Sequence, residues 1–119
     1  SAQNERYSWL AKQQQAWLYF REHDSQNALQ LFGELSTQLP EEEADLIDFG
    51  LAGQALVFAS QGKIELFAPI VVQFQREPER RERLRLFYPE MSAQFEDLLK
   101  SVPRTDFSET RTSPPPGAS

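Results

Sequence analysis

The stretch Trp17–Pro40, WLYFREHDSQNALQLFGELSTQLP, constrains this chain more than any other. The aromatics Trp17, Tyr19 and Phe20 precede a break at His23-Asp24-Ser25. After it, Ala28, Leu31, Phe32, Leu35 and Leu39 recur at spacings of three and four. Such spacing lays one apolar stripe along one helical face. Pro40 then stops that helix or opens the next, because its ring locks φ and removes a donor. The pattern is a helical hairpin, two short helices joined by a tight turn. Asp24 or Ser25 offers a side-chain oxygen to cap the second helix. His23, Asp24 and Ser25 are also the residue types of a hydrolytic triad. Neighbours in sequence cannot converge on one another as a triad does, so turn and cap is the better reading.

Periodicity extends the helical reading in both directions. A helix is expected from Glu5 to about Glu22, with Tyr7, Leu10, Ala11, Gln14, Trp17, Leu18 and Phe20 near its buried side and residues 1–4 frayed. Gln13, Gln14 and Gln15 are good helix formers and read as a solvated face. Pro40 followed by Glu41, Glu42 and Glu43 is a helix-start signature. Three consecutive glutamates point in different directions from a helix, which argues against a metal site. The third helix is expected over 42–60, with Leu46, Phe49, Leu51, Ala52, Ala55, Leu56 and Ala59 packing. Gly50 and Gly53 within it would admit a neighbouring backbone.

Gln61-Gly62 makes the next turn. In 63–76, KIELFAPIVVQFQR, the residues Ile64, Phe67, Ile70, Val71 and Phe74 fit a helical stripe, although Pro69 implies a kink or a late start. A β-hairpin, LVFAS-QG-KIELFA, competes, but its period-2 alternation is poor, so helix is favoured. Beyond Pro78, Arg80, Arg81, Arg83 and Arg85 alternate with Glu79 and Glu82. This is either a solvated face laced with ion pairs or a basic groove for an anion. Leu84, Phe87, Tyr88, Met91, Phe95, Leu98 and Leu99 keep helical spacing to about Val102, with Pro89 kinking or restarting the run. The expectation is all-α: five helices near 5–22, 25–38, 42–60, 63–76 and 79–101, and no sheet. Residues 1–102 form one domain. Residues 103–119, PRTDFSETRTSPPPGAS, read as a disordered tail whose prolines are a polyproline ligand or a solubilising end.

Composition narrows function. The chain has 119 residues and fourteen aromatics, enough for one small domain with a core. It has no cysteine, no apolar run long enough to span a membrane, and a start without a hydrophobic signal region, so a cytoplasmic setting is expected. The net charge is −6; residues 1–75 hold ten acids and four bases, and the remainder holds eight of each. An acidic body disfavours phosphate backbones, so nucleic acid is not the expected partner. With one histidine, no cysteine and no glycine-rich phosphate loop, no catalytic residue, cofactor or metal is assigned.

The two hairpins overlay. Tyr19 maps to Phe58, Ala28 to Phe67 and Phe32 to Val71 at an offset of 39, and Pro40 maps to Pro78 at 38. The first hairpin resembles a tetratricopeptide (TPR) repeat. Ala16 stands at the repeat's Gly position, Tyr19 at its Tyr, Ala28 and Phe32 at its A-x3-F pair and Pro40 at its closing Pro. Lys12 and Gln15 depart from its Trp and Leu. In the second hairpin Ala55, Phe58, Gly62, Val71 and Pro78 fit, Phe67 replaces the small Ala, and five extra residues fall near Glu41–Asp45. In size, helical layout and residues such as Trp17-Leu18 and Ala28, the chain is also similar to the small chaperones of bacterial type III secretion. Leu56–Phe67 and the Tyr88-Pro89 step look similar to parts of the Rsd/AlgQ regulators that bind a sigma factor, without that family's last helix.

The TPR resemblance implies stacked hairpins in a right-handed superhelix, with a concave face formed by the first helix of each. It implies a protein-protein interaction module: a chaperone or adaptor that binds an apolar helix or extended segment of a partner protein. The Rsd/AlgQ resemblance implies instead a regulator that sequesters a transcription factor. The face would offer Gln13, Trp17, Phe20, Phe49, Ala52 and Leu56, although the aromatics among them serve equally well as core. The acids from Glu41 to Asp48 would form a rim that favours a partner with basic flanks. Homo- or hetero-oligomers both remain open.

Overall fold

The computed structural model describes residues 2–102, with side chains from residue 5. Among them are six α-helices and one 3-10 turn: α1 (Ala2–Arg21), α2 (Ser25–Thr37), the turn Glu41–Glu43, α3 (Ala44–Ser60), α4 (Ile64–Arg76), α5 (Pro78–Phe87) and α6 (Pro89–Ser101). No described residue lies in a strand. No described helix is long and apolar enough to cross a membrane. The tail expected over 103–119 lies outside the described residues.

The first turn forms as its residues dictate. His23 takes φ of 64°, the left-handed conformation that ends α1. Asp24 then caps α2, its carboxylate accepting from the Asn27 backbone N–H at 3.3 Å. The second turn uses Gly62, at φ 72°, in the same way. Prolines set the later starts. Pro78 and Pro89 sit in the first turns of α5 and α6, where a missing N–H costs nothing.

Four expectations are corrected. The helix expected over 79–101 is two helices, because Tyr88, held out of the helical region before Pro89 at φ −138° and ψ 68°, cannot continue α5. The third helix begins at Ala44 rather than 42, since Glu41–Glu43 wind as a 3-10 turn after an extended Pro40. α1 begins at Ala2, ahead of the expected 5. α4 does not start late at Pro69 but runs from Ile64 through that exposed proline, and the favoured helix rather than the β-hairpin is what forms. Some residues assigned inward face out: Tyr7, Leu18, Ile64 and Phe87 are all about half exposed or more.

α3 is the central element. It buries Leu46, Phe49, Ala52, Ala55, Leu56 and Val57 over more than half of its circumference, and Ile47, Leu51, Gln54 and Phe58 on the remaining face are partly buried, as befits a helix with several neighbours. α1, α2, α4, α5 and α6 all pack on it. α2 contributes Ala28, Phe32 and Leu35, and α4 contributes Phe67, Val71 and Phe74. Phe74 meets Phe95 of α6 edge to face, 4.6 Å between ring centres. Polar ties fasten the periphery. Lys12 of α1 reaches Glu34 of α2 at 2.9 Å, and Arg6 pairs with Glu43 and, at 3.7 Å, with Asp45.

Candidate functional site

No Cα of α1 comes within 8 Å of one in α6, and α3 lies between these two helices. The result is a trough floored by α3. Two hollows occupy it. The first, about 80 Å³, is lined by Gln13, Trp17, Phe49, Tyr88, Glu90 and Met91. The second, about 350 Å³, is lined by Phe20, Arg21, His23, Ser25, Ser60 and Gln94. Residue numbers rise from the first hollow to the second on α1, α3 and α6 alike, so the three helices run in the same direction along the trough.

Aromatic rings set its surface. Trp17 and Phe20 stack on α1, ring centres 5.4 Å apart and planes 22° from parallel. Trp17 meets Phe49 edge-on at 6.3 Å, and Phe49 meets Tyr88 at 4.7 Å. Trp17 and Phe20 are one turn apart and only half-buried, so each keeps apolar surface toward the trough. Tyr88 is fixed by more than its ring. Burial, together with the negative charge of Asp45 nearby, pushes its phenol well above the ordinary tyrosine value. It therefore stays neutral and packed at any ordinary pH.

The six residues expected to form the face divide into two groups. Gln13, Trp17 and Phe20 line the hollows from α1, and Phe49 forms part of the floor of the first. Phe49 is nonetheless 1% exposed, and Ala52 and Leu56 are interior, packed in the core of α3. The opposite wall, made by Tyr88, Glu90, Met91 and Gln94, was not anticipated. The Tyr88-Pro89 step was its one signal in the sequence, since a break there turns the start of α6 toward α1.

The acidic rim is also revised. Asp48 is not on a rim at all: it is 0% exposed and accepts from Arg80 Nη1 at 2.7 Å and Arg83 Nε at 2.6 Å. Burial pushes its carboxyl upward, and the guanidiniums of Arg83 and Arg80 pull it part of the way back. Glu43 and Asp45 are engaged by Arg6. Glu41 and Glu42 alone among these five acids remain exposed. The arginine run of α5 is laced with ion pairs as expected, Arg81 to Glu96 and Arg85 to Glu82 included. Two of its members, however, serve the interior rather than a solvated face. Compared with protein-family models, curated proteins and solved structures, the chain finds no match.

Proposed function

We propose that this chain is a protein-binding module of TPR-like design, a chaperone or adaptor that takes an apolar segment of a partner protein in the trough between α1 and α6. In this reading α1/α2 and α3/α4 are stacked hairpins, and α1 and α3 supply the inner face. The observation that carries it is the stacked pair Trp17–Phe20, half-buried and lining successive hollows between two helices with no Cα pair within 8 Å. Aromatic anchors beside unfilled apolar space are what interface hot spots are made of. The trough carries both signs of charge, Glu90 at one end and Arg21 at the other, and its apolar lining comes from Trp17, Phe20, Phe49, Tyr88 and Met91.

The test is selection of amphipathic-helical and extended apolar peptides from a display library on the folded chain, followed by titration against variants. Phe20→Gln should weaken the selected peptides by about 1–2 kcal/mol, near the lower range of hot-spot losses, with little change in melting temperature. Equal binding by Phe20→Gln and wild type would place the binding surface elsewhere. A large loss of stability with unchanged affinity would make Phe20 a core residue.

A further inference from the structure

α5 is held unlike its neighbours. Of its ten residues, Leu84 alone is buried. α6, joined to it through Tyr88, buries Met91, Phe95, Leu98 and Leu99. α5 is fixed to α3 by charge instead, through Arg80 and Arg83 on the enclosed carboxylate of Asp48. Arg80 is braced in turn by Glu77 at 2.7 Å. The last two apolar residues of α5 face water, Leu86 at 62% and Phe87 at 58% exposure. Elements with few buried apolar contacts are the ones that open locally while the rest of a fold stays intact.

The geometry points to α5 as a displaceable strap. We infer that it occupies, within its own chain, a site for a partner helix of the same chemistry: two arginines three residues apart with an apolar residue directly after the second, as in Arg80, Arg83 and Leu84. This does not depend on the trough between α1 and α6. Residues 78–87, when extended, reach roughly 33 Å at about 3.3 Å per residue, with Tyr88 still packed on Phe49. The strap can therefore leave α3 while α4 and α6 stay in place. Asp48 is then hydrated, so opening strands no buried charge. Asp48 also supplies the selectivity. A purely apolar segment laid over it would bury a carboxylate without a partner, which is strongly unfavourable. Lysine does not substitute well, because the site takes one guanidinium through Nε and the other through Nη1, donors that belong to a planar fork.

Native-state hydrogen exchange on the full chain is the first test. Amides of 78–87 should exchange at least about tenfold faster than those of 44–60 and 89–101, through an opening those helices do not share. The second test adds a capped synthetic peptide of residues 77–88 to the wild-type chain. At high concentration it should further deprotect 78–87 of the chain, and the same peptide with both arginines replaced by glutamine should not. In an Arg83→Gln chain, the arginine peptide should bind at least about tenfold more tightly than in wild type, as the internal competitor is weakened. Exchange of α5 only in step with α3 would overturn the proposal, as would equal effects of the two peptides. Concentration-dependent dimers with exchanged straps would assign the site to a second copy and overturn it too.

Discussion

Gly53 leaves open the space that the ring of Phe32 fills; a Cβ at position 53 would overlap that ring. Three residues earlier, a Cβ at Gly50 would lie 2.6 Å from the Phe32 carbonyl oxygen and 2.8 Å from the Ser36 nitrogen, both backbone atoms that cannot swing aside. α2 therefore packs on α3 through a glycine face, at a distance no larger residue permits. In an ordinary helix Gly→Ala gains up to about 1 kcal/mol. Here overpacking reverses the sign, and Gly50→Ala and Gly53→Ala should each cost about 1–3 kcal/mol. Gly33, with nothing within 4 Å of its Cβ position, is the control. Gly33→Ala should stabilise by about 0.5–1 kcal/mol. Chemical denaturation of the three variants reads all three signs.

Phe32 itself is fully buried and touches the ring of Phe49, centres 5.5 Å apart. Phe32→Ala should cost about 3–5 kcal/mol, the range for deleting a core phenylalanine. A denaturation midpoint equivalent to under about 1 kcal/mol would show that α2 and α3 collapse to fill the gap.

Tyr88 provides the alkaline limb of stability. Its phenol titrates above the ordinary value of 10 in the folded chain, so the unfolded chain loses that proton first. Its contribution is fully present below pH 10 and is lost as pH rises from 10 toward the folded value. Tyr88→Phe keeps the ring on Phe49 and removes the hydroxyl that titrates above 10. The stability of wild type relative to Tyr88→Phe should hold steady up to about pH 9 and fall above 10. Phenolate absorbance should show a late titration step that Tyr88→Phe removes.

Asp48→Asn keeps the volume and removes the charge beneath Arg80 and Arg83. The loss should stay within about 3 kcal/mol, the upper range for hydrogen bonds to a charged group, because a released α5 lets the site hydrate. Replacing Glu82, whose partner Arg85 is equally solvent-facing, should leave stability essentially unchanged. Parallel thermal denaturation of the two variants separates the interior contact from the surface one.

Much of this fold was legible because helix patterning and punctuation act locally. Ala28, Phe32 and Leu35 fell on one face of α2, Asp24 capped it, and Gly50 and Gly53 marked a close approach. All of these follow from spacing and residue type alone. The failures came where a side chain's destination is set by an element far along the chain. Nothing near Asp48 announces that residues 80 and 83 will cover it, so the acid looked like rim and the arginines like solvated surface. The trough suffered the same way. Trp17 and Phe20 were legible on α1, but the wall at Tyr88, Met91 and Gln94 depends on how α6 returns over α3. Ala52 and Leu56 looked available because α3 seemed one-sided, whereas five other helices pack on it.

The break at Tyr88 is a single residue wide, and that fixes more than a change of direction. Each residue added to or removed from a helix turns everything after it by about 100° and shifts it by 1.5 Å. α5 is indexed by Arg80 and Arg83 on Asp48, and α6 is indexed by Met91, Phe95 and Leu98 on the core. One residue of joint is what keeps both registers true at once. The chain can therefore change the chemistry at position 88, but not the number of residues between Leu84 and Met91. Inserting one alanine within α6, between Glu90 and Met91, should damage the molecule more than Tyr88→Phe.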